Sequence, residues 1–115
     1  MTPDNSKSYL QDLIRLTRYN LIACGFEKLL VSNTVVGLAS IPDDAKYAII
    51  QIESSISTPS IRYLELGNTT LPTTTVGISR SNLDIMDVHG YQNLVNFRAI
   101  QISAGVHNLN IQYYR

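Results

Sequence analysis

Ala45-Lys46-Tyr47-Ala48-Ile49-Ile50-Gln51-Ile52-Glu53, AKYAIIQIE, is the stretch whose pattern decides the fold. Side chains in a β-strand alternate faces with period two. Ala45, Tyr47, Ile49, Gln51 and Glu53 therefore share one face, and Lys46, Ala48, Ile50 and Ile52 the other. The middle is apolar on both faces, whereas a half-exposed strand would alternate cleanly. The pattern predicts an interior strand covered on both sides at its centre. Turn chemistry bounds it. Ser40-Ile41-Pro42-Asp43-Asp44 precedes it and residues 54–60, with Pro59, follow. Pro fixes φ there, and Asp side chains bond locally to the backbone.

Working outward, the sequence predicts strands over residues 26–32, 61–66, 82–88, 94–103 and 108–114, with residues 34–38 either continuing the first or forming a second short strand. Gly67-Asn68, His89-Gly90 and Ala104-Gly105 read as turns. Residues 97–102 match the quoted stretch in apolarity and are a second candidate for a central strand. In the last strand Leu109, Ile111 and Tyr113 fall on one face and Asn110, Gln112 and Tyr114 on the other. Residues 69–79 are β-branched and irregular, and Pro72 argues against a central strand there. About seven to eight short strands at this spacing indicate an all-β chain, an antiparallel β-sandwich of jelly-roll-like form. No βαβ alternation suggests a parallel sheet.

Upstream, residues 1–25 read as an N-terminal helix or arm and residues 26–115 as the β domain. Over residues 7–19, and on to Leu21, Leu10, Leu13, Ile14 and Leu21 recur at helical spacing. Gln11, Asp12, Arg15 and Arg18 lie on the other side. Asp4, Asn5 and Ser6 are candidate N-caps, and Asn20 and Gly25 candidate stops. Leu16 and Tyr19 fall off the stripe, which keeps an extended arm as the alternative. A short amphipathic helix is marginal alone and needs a surface, either its own sheets or a neighbouring subunit.

Composition narrows the partners. The 115 residues carry 9 Lys and Arg against 9 Asp and Glu, a formal net charge of zero. A nucleic-acid binder shows a basic excess, because phosphate contacts supply most of its affinity; none is seen here. Near-zero net charge does little to hold copies apart, which suits an assembling subunit. Cys24 is the only cysteine, so no intrachain disulfide forms, and it reads as a small buried hydrophobe. The opening residues lack an apolar signal core, and no apolar run approaches the ~20 residues that span a membrane. Asn68-Thr69-Thr70 fits the glycosylation sequon and reads as a chance match in a turn.

Reactive constellations are sparse. His89 and His107 sit beside turn glycines and read as solvated; their spacing is not that of a zinc site. Asp84 and Asp87 flank Met86 on opposite faces, and Asp43-Asp44 reads as a turn pair. No Ser lies in a GxSxG elbow, and the glycines are isolated rather than gathered in a phosphate loop. Glu53 and Glu65 are the one carboxylate pair that adjacent strands would bring together. The sequence thus points to no catalytic residue, no cofactor and no metal, and to a non-enzymatic chain. The seven tyrosines suit interfaces, being large, stiff and amphipathic. Tyr63, Tyr91 and Tyr114 are the candidates for a sugar-stacking platform.

Several pieces recur in a familiar order: Val36-Gly37-Leu38, Ile41-Pro42, the AKYAIIQIE stretch, Ile61-Arg62-Tyr63, Gly67, Pro72-Thr73, Gly77, Phe97-Arg98-Ala99-Ile100 and the ending Leu109-Asn110-Ile111-Gln112-Tyr113-Tyr114. Together they resemble the small β-sandwich virion structural proteins of tailed bacteriophages, head decoration (cement) proteins and related auxiliary proteins among them. The resemblance covers residues 36–114 and leaves residues 1–25 outside. It implies a virion protein, assembled in the host cytoplasm, that decorates or stabilises the capsid through contacts with the major capsid protein and with itself, as a trimer or other closed ring. On that expectation Tyr9, Leu10, Leu13, Ile14 and Leu21 form the subunit interface. A tail, neck or fibre-base component is the alternative within the same class, and a carbohydrate-binding β module the alternative from another.

Overall fold

The computed structural model describes residues 21–115. In chain order these form β1 (Ala23–Val31), β2 (Val36–Gly37), β3 (Tyr47–Ser54), β4 (Ile61–Leu64), β5 (Ile78–Arg80), β6 (Ile85–His89), α1 (Tyr91–Val95), β7 (Arg98–Gln101) and β8 (His107–Tyr114). The helix predicted over residues 7–19 lies outside the described residues. The strands make two four-stranded antiparallel sheets, ordered β1-β8-β3-β6 and β2-β7-β4-β5. The all-β expectation is met. β3 runs between β8 and β6, and β7 between β2 and β4, so both predicted central strands are interior.

The pairing is nested. β1 pairs with β8, β2 with β7, β3 with β6 and β4 with β5. This is one long hairpin whose tip joins β4 to β5. Two further ladders, β3 with β8 and β4 with β7, divide the folded ribbon into its two sheets.

Register explains which side of each strand is buried. Across β3 and β8, Ala48 meets Tyr113, Ile50 meets Ile111 and Ile52 meets Leu109. Val88 and Met86 of β6 continue two of these rows, and Leu29 of β1 continues the third. All of these are buried. Ile61, Tyr63 and Ala99 of the other sheet, with Leu94 and Phe97, belong to the same core cluster. Each such aliphatic side chain contributes about 1.5–3 kcal/mol when fully buried, and a single core drawing on both sheets makes their burial interdependent.

Several local predictions differ from the structure. β1 starts at Ala23, because its pairing with β8 continues through a register shift between Ala23 and Gly25. Gly25 lies within β1, paired with Tyr113 just after the shift that skips Cys24, rather than ending a helix; a Cβ there would lie 3.1 Å from Pro42 Cγ. The stretch read as irregular ends in β5, three residues long and at a sheet edge, which suits a segment of low strand quality. The first part of the strand predicted over 94–103 is instead α1, whose Leu94 is buried against the core.

Two arginines organise the turns around the second sheet. The Arg98 guanidinium donates to the carbonyls of Val95 and Phe97, at 2.8 and 2.7 Å. Gly37 and Gly67 both lie against it: a Cβ would come within 2.9 Å of Arg98 Nη1 at Gly37 and 2.8 Å of Arg98 Cζ at Gly67. Arg62 does similar work at the hairpin tip, donating to the carbonyls of Thr74 and Gly77 at 3.1 and 2.7 Å. Gly77, at φ +124°, packs on Arg62 and Pro72. At Gly67 a Cβ would also approach the Asn96 carbonyl oxygen to 2.7 Å, and backbone yields less readily than a side-chain tip. Gly67→Ala is therefore expected to cost about 1–3 kcal/mol in urea unfolding, and Gly37→Ala distinctly less, since only the Arg98 tip must move. Equal losses would contradict this account.

Candidate functional site

The outward face of the β1-β8-β3-β6 sheet carries the strongest surface feature. Tyr47 sits between His89 of β6 and Tyr114 of β8, its register partners. Its ring centroid lies 4.6 Å from that of His89 and 5.5 Å from that of Tyr114, tilted by 40° and 44°. Tyr47 is only 3% exposed although it points away from the core. Beside it, Leu21, Ile49 and Tyr114 complete the lining of a cleft of about 220 Å³. Further along the same face Phe26, Leu30 and Ile85 are each at least 60% exposed. Phe26 and Leu30 stand on the β1 edge and Ile85 on the β6 edge, with Asn110 and Gln51 between them in register, and exposed apolar residues scattered in this way are ordinary.

Of the predicted interface residues, Tyr9, Leu10, Leu13 and Ile14 lie outside the described residues. Leu21 is half-buried and lines this cleft within its own chain. Immediately after it, Ile22 and Arg115 exchange backbone hydrogen bonds, both at 2.9 Å. The described chain therefore begins against the end of β8, on the outward face.

A second cluster joins the far end of β3 to the approach to β8. His107, read from the sequence as solvated, is fully buried. Its Nε2 lies 2.7 Å from the Ser103 carbonyl oxygen and its Nδ1 2.8 Å from Ser54 Oγ. A carbonyl only accepts, so Nε2 carries the proton and Nδ1 accepts from the Ser54 hydroxyl. Ser54 Oγ also accepts from the Ile56 N–H at 3.2 Å. This has two members of a nucleophile–base relay, yet the imidazole is oriented by a neutral carbonyl and has no open side from which to pass a proton on. In this geometry it ties β3 to the loop before β8. The signal was present in the sequence: His107 has the parity of Leu109, Ile111 and Tyr113, the inward side of β8.

A third polar group is buried under β1. The Glu27 carboxylate accepts from the backbone N–H groups of Ala39 and Ser40, at 3.1 to 3.2 Å, and from the Tyr113 hydroxyl. Burial, then that hydrogen bond and the adjacent negative charge, push the Tyr113 phenol above the ordinary tyrosine value.

The remaining sequence candidates are dispersed. Tyr63 is buried and stacks on Phe97 at 5.4 Å, so a platform of Tyr63, Tyr91 and Tyr114 does not assemble. Glu53 lies near the end of β3 in one sheet, and Glu65 follows β4 in the other, so strand pairing does not bring these carboxylates together. Burial raises the Glu65 carboxyl, with His89 pulling it back. Asp84 accepts from the Ser81 N–H at 2.8 Å, while Asp87 lies on the outward face opposite Ile49. Cys24 is free and half-buried, packed against the core. Among the described residues no three His, Cys, Asp or Glu side chains gather into a metal-binding group, and no helix is long and apolar enough to cross a membrane.

No family model, curated protein or solved structure matches this chain.

Proposed function

We propose that this chain is a non-enzymatic virion structural protein of a tailed bacteriophage, a capsid decoration or cement subunit built on a jelly-roll β-sandwich. The observation that carries the reading is the nested strand pairing. A ribbon with its first strand on its last, rolled into sheets ordered 1-8-3-6 and 2-7-4-5, is how two Greek keys form a double-sheet jelly roll, an architecture used by viral capsid domains. Fold alone does not fix function. Two further features favour a scaffold that works by contact. Of the residues that carry the resemblance, Gly37 and Gly67 pack on Arg98, and Gly77 on Arg62 and Pro72. The outward face keeps Phe26, Leu30 and Ile85 exposed on a chain of zero formal net charge.

Its partners on this reading are the major capsid protein and further copies of itself. Quantitative mass spectrometry of purified particles tests it. A copy number on the scale of the capsid's own subunits is expected. A count on the scale of a single tail or neck ring would move the protein to that part of the virion, and its absence from particles would overturn the reading.

A further inference from the structure

We propose that β1 is the strand to which a second copy of this chain adds. The two β1 strands run antiparallel about a two-fold axis at Lys28 and join two β1-β8-β3-β6 sheets into one. The inference concerns the chain in solution and does not rest on the virion reading.

Backbone direction decides which groups β1 leaves open. Successive residues of a strand turn their N–H and C=O to opposite sides. At the two ends of β8, the Tyr114 and Val106 carbonyls accept from Lys46 and Ser55, which flank β3, at 2.8 and 2.9 Å. The even-numbered residues of β8 thus face β3. Tyr113, Ile111, Leu109 and His107 face β1, and their partners Gly25, Glu27, Leu29 and Val31 face back to them. Phe26, Lys28 and Leu30 lie between those partners, so their N–H and C=O groups point away from the sheet. Among the described residues no strand pairs with that side, and all three residues are exposed.

The four sheet edges differ in length. The sheets end in β1, β6, β2 and β5. β6, β2 and β5 are five, two and three residues long, and β1 is nine. Short edges resist strand addition, whereas a long one is a template for it.

The open residues of β1 also suit a copy of themselves. Phe26 is apolar, Lys28 charged and Leu30 apolar, a pattern that reads the same from either end. An antiparallel β1 centred on Lys28 sets Phe26 of each chain opposite Leu30 of the other. Three residue pairs then form, each exchanging two backbone hydrogen bonds. A two-fold contact uses the same patch on both subunits and closes at two. It also sets Lys28 against Lys28. Like charges directly opposite weaken a cross-strand pair, so Lys28 sets the strength of the dimer and keeps it weak.

Sedimentation equilibrium of the full-length chain over a concentration series tests this. A reversible monomer–dimer equilibrium is expected, with exchange of the Phe26, Lys28 and Leu30 amides slowing as concentration rises. Lys28→Thr is expected to tighten the dimer about fivefold. Lys28→Pro removes an N–H that points off the edge, a place where a strand tolerates proline, and is expected to leave monomer. Lys28→Glu alters an exposed side chain and keeps the backbone donors, so it tests the axis without that substitution. An equal mixture of Lys28→Glu and wild type is expected to reach a higher average mass than either alone at the same total concentration. A chain that stays monomeric throughout would overturn the proposal, and slow exchange of the three amides in that monomer would show the edge to be covered from within the chain. A dimer that survives Lys28→Pro, or a mixture no heavier than its components, would overturn β1 as the contact.

Discussion

Replacing Glu27 by alanine is expected to lower the unfolding free energy by about 3 kcal/mol, measured by urea denaturation. The carboxylate is buried beneath β1 and gathers three donors from distant parts of the chain: the Ala39 and Ser40 amides and the Tyr113 hydroxyl. Removing it leaves those donors without their partner. Each buried, unsatisfied donor costs about 1–3 kcal/mol. Ala39 and Ser40 are exposed, so water can serve them once the loop shifts. Tyr113 is fully buried, and its hydroxyl has no such recourse. The conservative partner, Tyr113→Phe, removes one hydrogen bond and keeps the loop pinned, so a loss of about 1–2 kcal/mol is expected. Hydrogen exchange at Ala39 and Ser40 separates the two variants: protection falls in Glu27→Ala and persists in Tyr113→Phe. A Glu27→Ala chain as stable as wild type would show that the loop is held by something else.

The same contact predicts an alkaline limb. In the folded chain Tyr113 keeps its proton to higher pH than a free tyrosine, chiefly through burial. Below about pH 10, the ordinary tyrosine value, both states are protonated and this group contributes no pH dependence. Above it the unfolded phenol ionises first, the unfolded state binds fewer protons, and stability falls as pH rises. Tyr113→Phe is expected to shallow that fall relative to wild type. An unchanged slope would assign it to other groups.

Much of this architecture was legible because period-two patterning is read directly from residue order. AKYAIIQIE is apolar on both faces at its centre, and β3 is interior. Residues 109, 111 and 113 alternate with polar neighbours, and those three side chains are buried. What escaped was whatever depends on a partner distant in sequence. Gly25 has the look of a helix stop, and only the pairing of β1 with β8 places it inside a strand. Residues 91–95 hold Leu94 and Val95 in an apolar run that continues into β7, so a short helix with no side-chain cap is masked by the strand signal after it. Glu27 on the apolar parity of Leu29 and Val31 was a visible anomaly, but its donors are 12 to 86 residues away. The outward face was harder still. That Leu21 meets Tyr47, Ile49 and Tyr114 follows from strand order, which residue spacing does not contain.

Phe97→Ala is the second large effect expected, a loss of about 3–5 kcal/mol in unfolding free energy. Phe97 is fully buried and stacks on Tyr63 at 5.4 Å with 21° between ring planes. Its N–H donates to the Leu94 carbonyl at 3.3 Å, so it also joins α1 to the start of β7. Truncation removes the transfer energy of the ring and leaves a cavity. The site closes poorly, because Ala99 beside it is already small and Tyr63 is fixed by its pairing with Ala99 and Ile78. Phe97→Leu, which fills most of the volume, is expected to lose less than half as much. The more telling readout is where stability falls. Core residues of both sheets belong to one cluster, so the loss is expected to be global: amide exchange at Ile50 and Ile111 in one sheet should accelerate by the same factor as at Tyr63 and Ile100 in the other. Acceleration confined to the β2-β7-β4-β5 sheet would mean that the sheets open separately, and would contradict a single shared core.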